Sequence, residues 1–345
     1  MSGKKDHGMA PRWGCGFAHT AAGNVPLVST RLERRDRLDA WKWRWGVGRM
    51  QAAIAPGLYG VGDPDPRSPV LVTANYKLTF DRLRRELDGL SAWILVLDTR
   101  GINVWCAAGK GTFGTEELLA RLQATALDRV VSHRRLVVPQ LGASGVAAHE
   151  VARRSPFRVV YGPVLAAGIR EFIASGYRAT PAMRRVDFPL RERLALAPVE
   201  LRQALKWLFW ILLALLLSDI VRGRGLSPGF LAAGLPFAAA IVAGTVLVPA
   251  LLPWIPGRSL AWKGWLGAAA LAAGWLLVAA VPLAAGLAYL LLLPPIASFL
   301  ALNFTGSTTY TSLSGVLKET RIALPLLGAS FLAGLILIVV RMIGA

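Results

Sequence analysis

The segment "NVWCAAGKGTFGT" (residues 103–115) places a cysteine where its thiolate could serve as a metal ligand. Asn103 is a good N-cap for one helical turn, and Gly109 is a natural helix terminator. Cys106 would then lie in the first turn, where the partial positive charge of the helix start, together with Lys110, favours the thiolate. The sequence therefore predicts a short helix that presents a reactive sulfur.

Small residues flank this cysteine. Ala107, Ala108, Gly109 and Gly111 predict a low, flat surface that suits a large planar ligand whose metal must come within bonding distance of the sulfur. An ordinary buried cysteine that behaves as a small hydrophobic residue explains the same letters. A solvated loop charge is the simpler interpretation of the neighbouring lysine. The local pattern leaves these alternatives open.

Two nucleotide-binding motifs overlap the segment, and neither is complete. A phosphate-binding loop needs a glycine and a hydroxyl residue where this chain has Val104 and Gly111. "GKGTFG" (residues 109–114) satisfies G-x-G-x-x-G, but it lies about ten residues beyond its strand, and no acidic residue ends the next strand. A nucleotide-binding membrane regulator is kept as an alternative.

Charge and hydrophobicity divide the 345 residues into two parts. Most of the 39 Lys and Arg and the 20 Asp and Glu residues precede residue 205, and long apolar runs follow it. This division predicts a soluble domain joined to a membrane domain and excludes a soluble two-domain enzyme. The formal charge of +19 comes without a nucleic-acid-binding motif, so we expect anionic lipid rather than nucleic acid to attract it.

The two cysteines, Cys15 and Cys106, are too few for a disulfide framework or for the four thiolates of an iron–sulfur cluster. The N-terminal residues carry positive charge without an apolar core, so we expect no signal peptide. The soluble domain should therefore face the cytoplasm, where a free thiol persists.

Short apolar strands alternate with helices after residue 69, which indicates an α/β Rossmann-like domain with a parallel sheet and helices on both faces. Ligands of such sheets bind beyond the carboxyl ends of the strands, where residues 103–110 fall. The predicted strands are Val70–Thr73, Trp93–Asp98, Arg135–Pro139 and Phe157–Tyr161. The predicted helices cover residues 80–90, 115–131 (with Thr115 as candidate N-cap), 146–154 and 167–175.

The rest of the chain predicts an all-α transmembrane domain of about five helices. With a basic N-terminal flank, five spans put the N-terminus inside and the C-terminus outside, and the absence of mid-span charges argues against a transporter. Pro282 should form a tight turn, whereas Pro294 and Pro295 should distort the fourth span. The predicted spans are residues 205–221, 229–252, 262–281, 283–302 and 322–341. The predicted domains are a basic Trp-rich segment (1–69), a ligand-binding domain (70–183), a basic linker (184–204) and the transmembrane domain (205–345).

With these residues in view, "NVWCAAGKGTFGT" resembles the cap-helix motif of the mercury-methylating corrinoid proteins of bacteria and archaea. Further segments resemble that family in its order, from about Trp45 to the C-terminus, while the first forty or so residues match nothing, so Cys15 inherits no role. The wider relationship is to the corrinoid iron–sulfur proteins of the acetyl-CoA pathway, which lack this cysteine and this membrane tail. The further segments are "PGLYGVGDPDP", "SPVLVTANYKLTFD", "HRRLVVPQLGASGVAAHEV", "VVYGPV" and "NFTGSTTYTSLSGV".

The resemblance implies that the domain binds cobalamin or another corrinoid, with the Cys106 thiolate as the lower axial ligand of cobalt. It implies a further place for Thr73 on the cofactor face. The residues that it implies for the helix beneath the corrin are Asn103, Val104, Trp105, Cys106, Ala107, Ala108, Gly109 and Lys110.

The resemblance also implies a methyltransferase that is anchored in the cytoplasmic (inner) membrane and transfers a methyl group from methylcob(III)alamin to Hg(II), giving methylmercury. Its expected partners are a ferredoxin-like protein with two [4Fe–4S] clusters, as reductant and possible source of Hg(II), and a methylated folate or its methyltransferase as methyl donor. The alternative in the same chemical class is a corrinoid methyl carrier of one-carbon metabolism, with the same cofactor and a different acceptor.

Overall fold

The computed structural model describes residues 13–225, 228–279, 281–304 and 313–343. The chain divides into two compact units, one of residues 1–43 and 47–186 and the other of residues 44–46 and 187–345. Each unit has hydrophobic clusters of its own, as independent domains do. The hydroxyl-rich "TGSTTYTS" (305–312) of the resemblance lies outside the described residues.

The described part of the first unit contains a seven-stranded sheet with the order β1-β2-β3-β5-β4-β6-β7. The four strands predicted from the sequence are β4 to β7, and they pair in parallel in the order β5-β4-β6-β7, which confirms that part of the prediction. All residues of β4 and β5 are buried, as expected of parallel strands covered on both faces. The strands are β1 (Gly14–Thr20), β2 (Gly23–Val28), β3 (Gly57–Val61), β4 (Val70–Ala74), β5 (Ala92–Leu97), β6 (Arg135–Val138) and β7 (Arg158–Tyr161).

The sheet is mixed rather than all-parallel, which corrects the predicted fold class. β1 and β2 form an antiparallel hairpin, and β3 runs antiparallel to β5 along five residue pairs. No strand was predicted before residue 70, because "GCGFAHT", "GNVPLV" and "GLYGV" contain glycine, asparagine or proline, which are depleted in strands. Pairing with β5 imposes the extended form on β3 and protects what would otherwise be an open sheet edge.

Helices cover both faces of this sheet, as predicted. One hydrophobic cluster contains Val104, Leu118 and Val151, and the other contains Phe80 and Phe172. The helices of this unit are α1 (Arg34–Arg44), α2 (Lys77–Glu86), α3 (Val104–Gly109), α4 (Thr115–Ala124), α5 (Leu127–Val130), α6 (Ala148–Arg154) and α7 (Ile169–Ala174).

The helix predicted over residues 115–131 is wrong in its length and in its cap. Ala126 has a φ of 44° and separates α4 from α5. Gly114 occupies the N-cap position, and Thr115 is the first helical residue. The Thr115 hydroxyl oxygen accepts a hydrogen bond from the Ala147 N–H (2.9 Å) instead, so it ties α4 to the segment before α6.

Charge pairs attach α1 to the sheet domain, since α1 has no buried residue. Asp36 accepts hydrogen bonds from Lys77 Nζ (3.0 Å) and from Arg84 Nη2 (2.7 Å). Both cations also contact Asp81, and the Arg84 side chain is fully buried. Burial raises the pKa of Asp36, but the hydrogen bond from Lys77 and the charges of Lys77 and Arg84 outweigh burial and lower it. These charge pairs therefore tie α1 to α2.

Five helical segments among the described residues of the second unit are long and apolar enough to cross a membrane. Their number and approximate positions confirm the predicted apolar helices, although the first and the last begin earlier than predicted. The helices are α8 (Leu190–Arg193), α9 (Ala197–Val221), α10 (Gly229–Val242), α11 (Val248–Leu251), α12 (Leu260–Ala279), α13 (Leu283–Leu302) and α14 (Leu313–Ile343), with a π-helical segment Ala243–Leu247 between α10 and α11.

α13 continues through Pro294 and Pro295, so neither proline ends the fourth span. Pro295 has no N–H for the carbonyl of Leu291, and the Ser330 hydroxyl donates to that carbonyl instead (2.9 Å). A neighbouring helix thus satisfies the backbone group that the proline leaves unpaired. Pro282 precedes α13 directly, as expected for a turn.

Two buried cations bind backbone carbonyls at the end of the second span. Lys263 is 2% exposed, and its Nζ donates to the carbonyls of Leu252 (2.8 Å) and Ile255. Arg193 donates to the carbonyl of Ala250. Carbonyls at a helix C-terminus lack intrahelical partners and carry partial negative charge, so these side chains act as a cap.

Replacing the buried guanidinium should release α1. Arg84→Met leaves Asp36 and Asp81 with only Lys77 as a cation, which should cost about 3 kcal/mol of local stability. We expect faster hydrogen exchange across residues 29–37 of the full chain, measured by mass spectrometry. Arg85→Met is the matched control, because Arg85 is exposed and pairs only with Glu86. Equal exchange in the two variants would contradict this account of α1.

Candidate functional site

The helix α3 that carries Cys106 begins as predicted. The Asn103 side chain accepts a hydrogen bond from the Cys106 N–H (2.9 Å), so Asn103 is its N-cap. α3 ends at Gly109, as predicted, and the left-handed residue that follows is Gly111 (φ 80°). Cys106 is a free, partly exposed cysteine, so the alternative of a buried cysteine is wrong.

The two sides of α3 differ sharply in exposure. Val104, Ala107 and Ala108 are buried and belong to the cluster beneath the helix. Trp105 and Cys106 are partly exposed, and Gly109 and Lys110 are exposed. This separation follows from the three-and-four residue spacing of a helical face. The outward side therefore carries the sulfur.

The predicted flat surface needs a correction. Ala107 is 0% and Ala108 is 5% exposed, so both pack under the helix and do not face an external ligand. A Cβ added at Gly109 or at Gly111 would meet no atom within 4 Å. The open surface beside Cys106 is therefore formed by the two glycines. Thr73 is buried within β4, so it packs inside the sheet domain rather than forming an exposed contact surface.

Asn75 holds the loop that leads into α3. Its side-chain oxygen accepts hydrogen bonds from the backbone N–H groups of Thr99 (3.0 Å) and Gly101 (2.9 Å). Its Nδ2 donates to Asp98 Oδ1 (3.2 Å). Asn75 is 4% exposed and follows β4 directly, so the carboxyl end of β4 fixes the loop that follows β5.

The same loop contains two consecutive residues with left-handed backbone, Arg100 (φ 56°) and Gly101 (φ 70°). A non-glycine residue in this region is uncommon and costs free energy. Asp98 offsets part of that cost, because its Oδ1 accepts the Arg100 N–H (3.0 Å). Its own N–H donates to Glu117 on α4 (2.8 Å). Hydrogen bonds from two sides thus specify where α3 begins.

Glycines of the segment "QLGASG" allow the inner side of α3 to pack closely. A Cβ at Gly145 would lie 2.0 Å from the Phe113 carbonyl oxygen and 3.1 Å from the Ala108 Cα. A Cβ at Gly142 would lie 2.5 Å from the Phe113 ring. Neither position has room for a side chain, so glycine is required for α3 to rest at this depth.

Sequence reasoning missed Asn75, Gly142 and Gly145 as positioning residues. All three lie in segments that carried the family resemblance, and that was the available signal. Their roles depend on contacts between segments that are far apart along the chain, which letters and periodicity do not reveal.

Cys106 does not belong to a cluster of three or more potential metal ligands in the described ranges. No group of three or more His, Cys, Asp or Glu side chains there is placed to hold a metal ion. The second cysteine, Cys15, is exposed on β1, at the opposite end of the sheet order from β6 and β7.

Comparisons with known proteins relate the first unit to one-carbon metabolism. The family model "CO dehydrogenase/acetyl-CoA synthase delta subunit" matches residues 48–163, about a third of the chain. The chain is 34% identical over 127 residues to the acetyl-CoA decarbonylase/synthase complex subunit gamma of Methanopyrus kandleri (36% of this chain, 27% of that protein). It is 38% identical over 98 residues to the same subunit of Methanocaldococcus jannaschii (28% and 20%).

The name of a third relative includes the word corrinoid. The chain is 31% identical over 152 residues to the corrinoid/iron–sulfur protein large subunit of Moorella thermoacetica (42% of this chain, 34% of that protein). Part of the chain is thus similar in sequence to a corrinoid/iron–sulfur protein subunit. This confirms the wider relationship that the resemblance implied, while mercury methylation stays a prediction. The chain spans only about a fifth to a third of the length of these relatives.

Removing the Asn75 side chain should loosen the start of α3. Asn75→Ala leaves the N–H groups of Thr99 and Gly101 without their acceptor, at about 1–3 kcal/mol for each buried group. We expect hydrogen exchange at residues 99–106 of the full chain to accelerate at least tenfold while β4 and β5 stay protected. Asn24→Ala is the control, since Asn24 is exposed and its side chain contacts His19. Unchanged exchange at residues 99–106 would show that Asn75 does not hold the loop.

Proposed function

We propose that the chain is a membrane-anchored corrinoid protein that transfers a methyl group, with Cys106 Sγ as the lower axial ligand of cobalt. The observation that carries this proposal is the free, partly exposed thiol on the outward side of an Asn103-capped helix. The helix lies after β5, in a unit that is similar to a corrinoid/iron–sulfur protein. Ligands of parallel sheets bind beyond this end of the strands.

The residues around Cys106 fit a corrinoid. A thiolate is a soft ligand suited to a transition metal, and the open space above Gly109 and Gly111 admits a flat macrocycle close to the backbone. Asn103, Trp105 and Lys110 join Cys106 as candidates for direct contact. The other predicted site residues, which are buried, would support the helix from below: Thr73, Val104, Ala107 and Ala108.

The chemistry divides between the bound group and the chain. When bound, the corrinoid supplies the cobalt that carries the methyl group. Cys106 would hold the metal through its sulfur and would supply a strongly electron-donating ligand, as cysteine does at haem iron. Such a ligand would suit methyl transfer to an electrophilic acceptor. Asn103 and Asn75 keep the sulfur in place by fixing the start of α3.

We propose Hg(II) as the acceptor, so that the product is methylmercury. The support is the resemblance of residues 103–115 and of the membrane tail to the mercury-methylating corrinoid proteins. The one-carbon methyl carrier is the second candidate, and the comparisons favour it, because the names of the relatives concern acetyl-CoA metabolism. The family match ends at residue 163, before the apolar helices.

The proposed partners follow from the small number of cysteines in the chain and from its proposed membrane location. Two cysteines cannot bind a [4Fe–4S] cluster, so we propose a ferredoxin-like partner with two such clusters as the reductant. A methylated folate or its methyltransferase would supply the methyl group. We propose that the first unit lies at the cytoplasmic face of the inner membrane, and the basic linker (184–204) and the five apolar helices support this proposal.

Cys106→Ala should abolish methyl transfer and leave the fold intact, because the side chain is partly exposed and the cap bond uses the backbone N–H. We expect methylmercury formation to fall at least 100-fold in cells that co-express the partner. The sulfur ligand should also vanish from the cobalt X-ray absorption spectrum of the purified chain after cobalamin loading. Cys15→Ala is the control and should behave as wild type. Undiminished product from Cys106→Ala would end the assignment.

The acceptor can be decided in the host cell. Deletion of the gene should abolish methylmercury formation and leave growth that depends on acetyl-CoA synthesis from one-carbon compounds unchanged. Complementation with the wild-type gene, and not with the Cys106→Ala gene, should restore the product. The opposite pattern, slower one-carbon growth with normal methylmercury formation, would select the methyl carrier.

A further inference from the structure

A cavity of about 750 Å³ lies in the second unit among α12, α13 and α14. Its volume is in the range of about 300–1,000 Å³ that is usual for small-ligand sites. On α14 its wall runs from Gly315 to Ser330, a rise of about 22 Å at 1.5 Å per residue. The cavity is therefore elongated along the fifth apolar helix.

The two ends of the cavity differ in polarity. Arg258 and Lys318 lie at the end near the starts of α12 and α14, whereas Ile322, Leu326 and Leu327 line α14 further along. At the apolar end, the Ser330 hydroxyl is already bonded to a carbonyl of α13. The site thus offers charge at one end and hydrocarbon along the rest, which matches an amphiphile.

A pair of tryptophans forms part of the α12 wall. The rings of Trp262 and Trp265 stack with an interplanar angle of 3° and a centroid separation of 5.6 Å. Both line the cavity. Tryptophan is enriched where membrane helices meet the headgroup region, so the polar end of the cavity lies at the depth where lipid headgroups are found.

The charges at the mouth favour an anion. Glu319 already serves α12, because its Oε1 accepts hydrogen bonds from the Ser259 hydroxyl (2.8 Å) and from the Ala261 N–H (2.6 Å). Arg258 and Lys318 are exposed and form no ion pair with the residues that the structure describes. Two cations therefore face the mouth with their charge available to a ligand.

We propose that this cavity binds one anionic phospholipid. Its phosphate would lie against Arg258 and Lys318, and one acyl chain would follow Ile322, Leu326 and Leu327 past the tryptophan pair. Basic pockets between membrane helices are typical sites for anionic headgroups. A zwitterionic lipid adds no net negative charge to offset the two cations. The inference rests on the proposed membrane location and is independent of the corrinoid.

The test uses the full chain in detergent with phosphatidylglycerol or phosphatidylcholine, and native mass spectrometry counts the lipids retained. We expect one phosphatidylglycerol per chain, retained at least fivefold better than phosphatidylcholine. The double variant Arg258→Gln/Lys318→Gln should lose this preference. Arg321→Gln is the matched control, because Arg321 lies on the same helical turn and does not line the cavity. Ala323→Trp should fill the apolar part and reduce retention of phosphatidylglycerol with the charges intact.

Equal retention of phosphatidylglycerol by the double variant and by Arg321→Gln would overturn the proposal, since the lipid would then be bound non-specifically. Equal retention of the two lipids by the wild type would overturn it as well. Alkaline extraction of membranes tests the membrane location separately from the lipid site. Release of the chain would refute the membrane location and with it the site. A chain that stays in the membrane but shows no lipid preference refutes the lipid site alone.

Discussion

The hydrogen bond from the Cys106 N–H to the Asn103 side chain is the interaction on which the candidate site depends. It starts a helix of only six residues, which is too short to persist without tertiary support. That support comes from three directions: Asn75 fixes the preceding loop, Glu117 binds the backbone of Asp98, and Gly145 leaves room for Ala108. Local capping and distant packing therefore act on the same sulfur.

The parts of this protein that were predictable are those encoded by local patterns. The parallel strands appear as short apolar runs, and the spans appear as long ones. Asn103 precedes its helix and is an evident cap. The hairpin β1–β2 and strand β3 were not predictable, because their residues, which include glycine, asparagine and proline, become strands only by pairing with a sheet. The break at Ala126 had no signal in the sequence either. Alanine favours helix, yet Ala126 adopts a φ of 44°.

Composition alone misassigned the alanines beside Cys106. Small residues were expected to leave a bare surface, yet in Ala107 and Ala108 the small size serves the inner face, where α3 must come close to the segment 142–145. The bare surface belongs instead to glycines at positions 109 and 111. The same principle operates in the second unit, where a Cβ at Gly264 would lie 2.6 Å from the backbone of Ser298. In both places the smallest residues set the distance between backbones.

The cations at the end of the second span have a further consequence. Lys263 and Arg193 reach the carbonyls of residues 250–255 from two different helices, the third span and the segment that precedes the first. Each cation holds the same stretch of carbonyls from a different side, so the start of the third span and α8 are both tied to the end of the second span. An uncharged residue at either position would leave carbonyls in this stretch without a donor, although the change lies on another helix.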